Sequence, residues 1–289
     1  MMDVTATVLN NAREYGDYWR LRVKIPAHYA VRPGQFAMIR PSAQWEPILR
    51  RAMVFYRVEH RVHALEAEFI YRVMGRGTRQ LAQLRSGDRL DVLGPLGNGF
   101  TIGERPAVGR DVALVSGGIG IPALYLLAAE LCQRGFVPRL FHGDRTSDAE
   151  RGLICVDDFY ALLGRDHVLC ATEDGSYGQR GVVTDLLESA LQSGAWRPVA
   201  LYACGPEPMM KRVAQLALQF HIPAELSLEA AMACGFGVCL ACVQRVRLDG
   251  RITYVRVCCE GPVFRAEDIV WEEPVVDRSP VGGMRNGAR

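Results

Sequence analysis

Lysine is scarce in this chain: Lys24 and Lys211 are the only two among 289 residues, and arginine supplies the rest of the positive charge. An excess of either sign is also missing, with a formal net charge of +2 at pH 7. So even a balance leaves no electrostatic footprint for nucleic acid or an anionic membrane surface. No apolar run is long enough to span a bilayer, which takes about 20 residues. The opening Met1-Met2-Asp3-Val4 stretch has neither a basic start nor a signal-peptide core. These absences predict a cytoplasmic chain with no membrane and no nucleic-acid partner. Disulfides are rare in that compartment, so the nine cysteines need another explanation. Hydrophobic residues make up 49% of the chain, enough for packed globular domains, and the length predicts two or three of them.

What is present is concentrated between Met232 and Phe264. Cys234, Cys239 and Cys242 have C-x4-C-x2-C spacing, and Cys258 follows 16 residues after Cys242. That is the spacing of a plant-type 2Fe–2S site, whose fourth thiolate comes from further along the chain. Three thiolates on one loop can surround a small cluster only if the backbone turns sharply, and Gly235 and Gly237 permit such a turn. Ala233 and Ala241 keep the wall thin, so that backbone N–H groups can approach the sulfurs. A zinc knuckle is the plainer alternative. Zinc sites usually pair C-x2-C with a second C-x2-C or with histidines, and no histidine lies near this loop. Cys259 adjoins Cys258, and either could be the fourth ligand. In an extended segment neighbouring side chains point to opposite faces, so only one of them should face the cluster. Cys132, Cys155 and Cys170 read as ordinary small buried residues.

Residues 1–103 read as β structure. Alternation marks Tyr18–Ile25, and short apolar runs mark Phe36–Ile39, Met53–Arg57, Ala67–Val73 and Arg89–Leu93. Many short strands in about a hundred residues predict a closed antiparallel barrel. One helix, Thr78–Leu84, follows Gly75-Arg76-Gly77, and glycines opening a helix make an anion site. From 104 to 225 strand-like and helix-like runs alternate, which predicts a doubly wound α/β domain around a parallel sheet. Its strands are Val112–Val115, Val137–Phe141, Val168–Thr172 and Val199–Ala203, and its helices Ala123–Arg134, Val183–Ser193 and Met209–Phe220. Gly117, Gly118 and Gly120 follow the first strand; Cys204, Gly205 and Pro206 follow the last. Two such loops, expected at opposite ends of one sheet, point to a dinucleotide crevice. Residues 226–271 form the cysteine module, and 272–289 read as a disordered tail.

Several motifs occur together and in order: Leu93 to Phe100 (LGPLGNGF), Glu173 to Gly178 (EDGSYG), Tyr202 to Met209 (YACGPEPM), Met232 to Gly235, and Cys258 to Phe264. The set resembles the iron–sulfur flavoprotein electron-transfer subunit of B-type, NAD-linked dihydroorotate dehydrogenases, in the ferredoxin–NADP reductase superfamily. The resemblance covers residues 5–270. It implies a six-stranded FAD-binding barrel, a nucleotide-binding domain for NAD and a C-terminal 2Fe–2S module. It also implies a partner, an FMN-containing dihydroorotate dehydrogenase catalytic subunit, assembled as two copies of each.

The family's flavin segment usually reads R-P-(I/L/M/F)-S-I, and here it is Arg51-Ala52-Met53-Val54-Phe55. By resemblance Arg51 holds the FAD pyrophosphate. Ala52 and Val54 depart from the pattern, and Val54 cannot supply the polar side chain that the usual serine offers the flavin. Ile70, Tyr71 and Arg72 match the second flavin segment, followed by Gly77 and Thr78 at the helix start. Without the resemblance Arg51 reads as a surface arginine and Tyr71 as a packed barrel residue. The family's register places its fourth cluster ligand four residues before the proline of G-P-V-F, which is Cys258, with Cys259 pointing away.

The implied activity is an electron conduit from the partner's reduced FMN, through the 2Fe–2S cluster and FAD held here, to NAD⁺, in pyrimidine biosynthesis. The base for dihydroorotate chemistry lies in the partner, so no catalytic base is assigned in this chain. Two other functions remain compatible with the residues. One is a reductase passing electrons from NAD(P)H to ferredoxin or to another dehydrogenase, as in hydrogenase-associated subunits. The other is a redox-sensing module without turnover, prompted by the altered flavin segment.

Overall fold

The computed structural model describes residues 1–26, 30–41, 48–103 and 109–271. The expected domain boundary at 103/104 borders on residues outside this description, and the expected tail over 272–289 lies wholly outside it.

The N-terminal part forms one antiparallel sheet. Its strands are β1 (Met2–Tyr15), β2 (Tyr18–Ile25), β3 (Phe36–Pro41), β4 (Arg51–Val54), β5 (Arg57–Arg61), β6 (Ala64–Arg72) and β7 (Arg89–Leu96). The spatial order is β4-β3-β7-β1-β2-β6-β5. The two edge strands, β4 and β5, are consecutive in the chain and joined by Phe55 and Tyr56. Phe55 N–H donates to Gln35 O (3.2 Å) next to β3, and Tyr56 N–H donates to Glu68 O on β6 (2.9 Å). The chain itself thereby curls the sheet into a barrel, and the count is seven rather than six because the closing segment is split. In β2, Leu21, Val23 and Ile25 are fully buried while Lys24 is exposed, the period-2 pattern of a half-buried strand. β1 and β5 were not legible as strands; β5 is Arg-Val-Glu-His-Arg, an edge whose charged side chains mask its strand character.

The helix expected at Thr78–Leu84 is α1 (Arg76–Leu81). It ends early because Asn11 Nδ2 takes the carbonyls of Leu81 (2.8 Å) and Leu84 (3.0 Å) just before the Ser86-Gly87-Asp88 turn.

The second sheet contains β8 (Asp111–Gly117), β9 (Val137–Asp144), β10 (Val168–Thr172), β11 (Gln179–Arg180), β12 (Ala200–Cys204) and β13 (Ala224–Ser227). A hairpin, β14 (Val243–Leu248) and β15 (Arg251–Arg256), precedes β16 (Val263–Arg265). The order is β11-β10-β9-β8-β12-β13-β16, parallel except where β16 pairs antiparallel with β13. The helices are α2 (Tyr125–Gln133), α3 (Val156–Leu163), α4 (Val183–Gln192) and α5 (Glu207–Gln219). On β8, Val112 and Leu114 pack towards α2 and α3, while Ala113 and Val115 pack towards α4 and α5. Both faces of the strand are covered, hence its unbroken apolar run.

Two expectations are corrected here. The loops after β8 and β12 are not at opposite ends of the sheet. β8 and β12 are neighbours, with Ser116 paired to Cys204, because the chain winds outward to β10 and then returns to the middle. The sheet also crosses the expected boundary at 225/226, since β13 straddles it and β16, from the cysteine module, completes the edge.

Candidate functional site

Arg51 opens β4, and its guanidinium lies against the start of α1. A Cβ on Gly77 would stand well inside 3.0 Å of Arg51 Cζ and Nε, so only glycine admits the arginine there. Arg51 also donates from Nη1 to Leu49 O, and burial lowers its pKa. Thr78 Oγ1 accepts from the N–H groups of Met74 (3.0 Å) and Gly75 (3.1 Å) and donates to Gly75 O, which fixes the helix opening. A guanidinium at a helix start offers an anionic group both charge and N–H donors. The residues therefore fit a pyrophosphate.

The remaining flavin-segment residues divide between two faces. Ala52 is exposed and Val54 half-buried, while Met53 points into the barrel core. Ile70 faces the core shared with the second domain, beside Tyr56, Phe100 and Tyr202. Tyr71, one residue on, faces the barrel interior, with its hydroxyl donating to Asn11 Oδ1 (3.0 Å) and its ring stacked near Trp19. Burial raises the pKa of that phenol. Arg72 is exposed with its guanidinium over the Tyr18 ring, 5.7 Å from the centroid.

The turn at Gly118–Leu124 packs against both β6 of the barrel and β12, so it stands between the two domains. It meets the Cys204-Gly205-Pro206 loop through glycines. A Cβ on Gly120 would collide with Cys204 O, one on Gly205 would stand 2.9 Å from Gly117 N, and one on Gly117 2.8 Å from Met209 Sδ and Pro206 Cδ. The two loops pack against each other where the strand order reverses, the position at which open α/β sheets bind nucleotides. Cys204 is buried. Burial, the nearby Glu229 carboxylate and, in the opposite sense, a hydrogen bond with Ser227 leave its thiol pushed up to about 12. Desolvation of its carboxyl raises the pKa of Glu229 although the residue as a whole is exposed, and sequence reasoning had not singled it out.

The cysteine loop packs on the outside of the barrel. Phe36, Met38, Leu93 and Leu96 of β3 and β7 form one core with Cys242, Val257 and Cys258. A Cβ on Gly235 would strike Met38, and Gly235 and Gly237 both have positive φ (83° and 90°), as the sharp turn requires. Asn98, on the barrel's β7-proximal loop, donates from Nδ2 to Cys259 O (3.0 Å) and Glu260 O (3.1 Å), and its N–H donates to Gly261 O (2.6 Å). Its residue type signalled only a turn; its role as a clasp is tertiary.

Cys239 is exposed, Cys234 half-buried, and Cys242 and Cys258 buried. Burial would raise the Cys234 thiol, but backbone N–H groups of Cys239, Phe236 and Val238 outweigh it and bring the pKa down to about 6. Cys258 N–H points at Cys242 Sγ (3.4 Å), and burial with neighbouring Cys242 and Cys259 raises the Cys258 pKa. The thiols thus group as Cys234 with Cys239, and Cys242 with Cys258. Among the described residues no three His, Cys, Asp or Glu side chains converge as ligands of a single metal ion. Grouping by pairs fits a centre whose two irons share the thiolates between them.

The extended course expected for this segment is not what the chain adopts. Val257–Glu260 is a turn, not an extended segment, and the two sulfurs lie 3.7 Å apart.

A curled antiparallel barrel followed by a doubly wound sheet, with flavin- and nucleotide-type sites, defines a ferredoxin–NADP reductase-like oxidoreductase fold. A ferredoxin–NADP⁺ reductase from Neisseria gonorrhoeae, solved with FAD and NADP, shares this fold at 19% identity with a TM-score of 0.61, over 80% of this chain and 93% of that one. A solved NADH-dependent reduced ferredoxin–NADP oxidoreductase has a TM-score of 0.77 at 30% identity, over 92% of this chain and 90% of that one. Residues 229–270 match the family model of the iron–sulfur cluster binding domain of dihydroorotate dehydrogenase B. The chain is 43% identical over 239 residues to the electron transfer subunit of dihydroorotate dehydrogenase B (NAD(+)) from Geobacillus thermodenitrificans, covering 82% of this chain and 86% of that one. The same subunit from Enterococcus faecalis is 40% identical, over 83% and 87%. This chain belongs to the family of dihydroorotate dehydrogenase B electron-transfer subunits. Among the described residues no helix is long and apolar enough to cross a membrane.

Proposed function

We propose that this chain couples dihydroorotate oxidation in a separate FMN-containing catalytic subunit to NAD⁺ reduction, within pyrimidine biosynthesis, in an assembly of two copies of each. One observation carries the reading. The cysteine loop is built directly onto the barrel, through Met38, Leu96 and Asn98, so the residues for cluster and flavin share one frame. Bound there, a flavin and a cluster supply conversion between hydride and single-electron transfer.

The chain's own residues do the holding. Arg51, Gly77 and Thr78 receive the FAD pyrophosphate, with Ala52, Met53, Val54, Ile70, Tyr71 and Arg72 lining the flavin segments through backbone or side chain. Gly117, Gly118, Gly120, Cys204, Gly205 and Pro206 form the NAD crevice. Cys234, Cys239, Cys242 and Cys258 ligate the cluster. The Cys204 thiol, raised to about 12, stays protonated at neutral pH and presents an uncharged wall to the crevice. Around Cys239, the side chains of Phe236, Val238 and Leu240 are 43%, 73% and 62% exposed. An exposed thiol ringed by apolar side chains suits a surface that another subunit covers.

The test is co-purification of the chain with an FMN-containing dihydroorotate dehydrogenase subunit and assay of dihydroorotate-dependent NAD⁺ reduction. The complex should turn over and either part alone should not. A chain that exchanges electrons between NAD(P)H and ferredoxin, yet never couples to dihydroorotate, overturns the proposal in favour of a ferredoxin reductase.

A further inference from the structure

The segment that brings the fourth thiol to the cluster loop also brings a fifth. Its backbone is a turn, closed by Cys259 N–H and Glu260 N–H on Arg256 O (3.0 and 2.9 Å). In a helical turn successive side chains are about 100° apart rather than on opposite faces, so neighbours can share a side. Cys258 Sγ and Cys259 Sγ are 3.7 Å apart. Two thiolates on one tetrahedral ion, with metal–sulfur bonds of about 2.3 Å, stand roughly 3.8 Å from each other. A single metal position can therefore lie within bonding distance of both sulfurs.

Cys259 is not a stray surface thiol. Its sulfur occupies the hollow of the cysteine loop, 2.5 Å from where a Cβ on Gly237 would be. Arg256 Nη1 donates to Gly237 O (3.1 Å) and so fixes the loop above that sulfur. The same arginine pairs with Glu260 through Nη2 and Nε, tying the turn to the strand that precedes it. Asn98 holds the Cys259 carbonyl from the barrel side. Cys258 is 2% exposed, whereas Cys259 is half-buried. The pair thus offers one sheltered and one accessible sulfur to the same place.

We propose that Cys258 and Cys259 are interchangeable ligands of one iron, so that Cys259 takes over when Cys258 is absent. This rests on the iron–sulfur reading above. The exchange is electron-neutral. The iron–sulfur bond to one cysteine breaks as the bond to the other forms, and the incoming thiol's proton passes to the outgoing thiolate.

The test uses the full chain, reconstituted anaerobically with ferrous iron and sulfide, as wild type, Cys258→Ala, Cys259→Ala and the double variant. Alanine cannot ligate, so a cluster retained in Cys258→Ala must use another donor. Iron and sulfide content, visible circular dichroism and the EPR of the reduced protein are read, with alkylation by iodoacetamide mapped by mass spectrometry. Both single variants should hold about two irons and two sulfides per chain with thiolate-type spectra. The double variant should lose the cluster. In Cys258→Ala, Cys259 should resist alkylation until the iron is stripped. Cys258→Ser, which keeps the side chain's size, repeats the test should the alanine variant misfold; an unchanged thiolate-type spectrum supports the exchange. Wild type that takes up the cluster while Cys258→Ala and Cys258→Ser lose it, or show oxygen ligation, overturns this inference alone. A cluster retained in the double variant also overturns it. Wild type that takes up no iron overturns the iron–sulfur reading and the inference with it.

Discussion

The guanidinium of Arg51 fills the space over Gly77, at a distance that leaves no room for a Cβ on the glycine. Gly77→Ala must therefore push the arginine off the helix start. FAD binding should weaken tenfold or more, equivalent to about 1.4 kcal/mol, and Arg51→Ala should do the same. Gly75, two residues earlier, has nothing within 4 Å of its Cβ position. Gly75→Ala should change FAD affinity by no more than about twofold, as expected for an uncrowded surface site. Flavin fluorescence titration of the apoprotein measures all three.

Asp158 on α3 is the point where the domains are tied. It accepts from Tyr56 Oη (2.6 Å) and Arg20 Nη2 (2.7 Å) and forms an ion pair with Arg57 Nη2 (2.6 Å), all from the barrel. Asp158→Ala leaves two arginines and a buried phenol without their shared partner. Removing one partner of a buried pair costs about 3–5 kcal/mol; with the carboxylate still 24% exposed we expect about 2–3 kcal/mol in urea unfolding. Burial raises the Asp158 pKa, but the hydrogen bonds from Tyr56 and Arg20 outweigh it and lower it overall. Its contribution is therefore present above the unfolded value of about 3.9 and is lost as pH falls further.

Gly120 and Cys204 make the closest approach between the two crevice loops, since a Cβ on Gly120 would collide with Cys204 O and C. Gly120→Ala should part the loops and raise the KM for NAD(H) at least about tenfold, a misplacement effect of the kind that positioning residues show. FAD content should remain at the wild-type level, because Arg51 and α1 are untouched. Parallel measurement of NADH oxidation with a dye acceptor and of flavin stoichiometry separates the two outcomes, and equal loss of both would show that the crevice and flavin sites are not independent.

His142 on β9 is fully buried, with Nδ1 bonded to Ser116 Oγ (2.8 Å) and no partner at Nε2 among the described residues. Burial pushes its pKa down to about 4, against the hydrogen bond to Ser116. The sign follows from proton counting. Between the unfolded value near 6.5 and about 4 the unfolded chain binds a proton that the fold refuses, so stability falls as pH drops through that window. From pH 7.5 to pH 5 this one group should remove roughly 2 kcal/mol. His142→Gln should flatten that part of the urea-midpoint profile; a variant profile parallel to the wild type would assign the loss to other groups.

Much of the fold was legible because its signals are local. The alternation in Tyr18–Ile25 and the unbroken run in Val112–Val115 marked a half-buried and a doubly covered strand. The charged edge strand β5 carried no such signal, since it owes its place to pairing with β6.

The sequence by itself determined which chemistry this protein is equipped for. Thiolate spacing and loop glycines are properties of short chain segments, and C-x4-C-x2-C with Gly235 and Gly237 fixes a sharply turned thiol loop wherever it is placed. Only the tertiary structure decided where those segments stand. It made β8 and β12 neighbours, because the sheet's winding order is set by packing on both faces and not by distance along the chain. It set Asn98 of the barrel onto the carbonyls of Cys259 and Glu260. It also bent Val257–Glu260 into a turn, which placed two adjacent thiols together where an extended chain would have separated them. Side-chain direction follows from backbone dihedrals, and here long-range contacts chose those dihedrals.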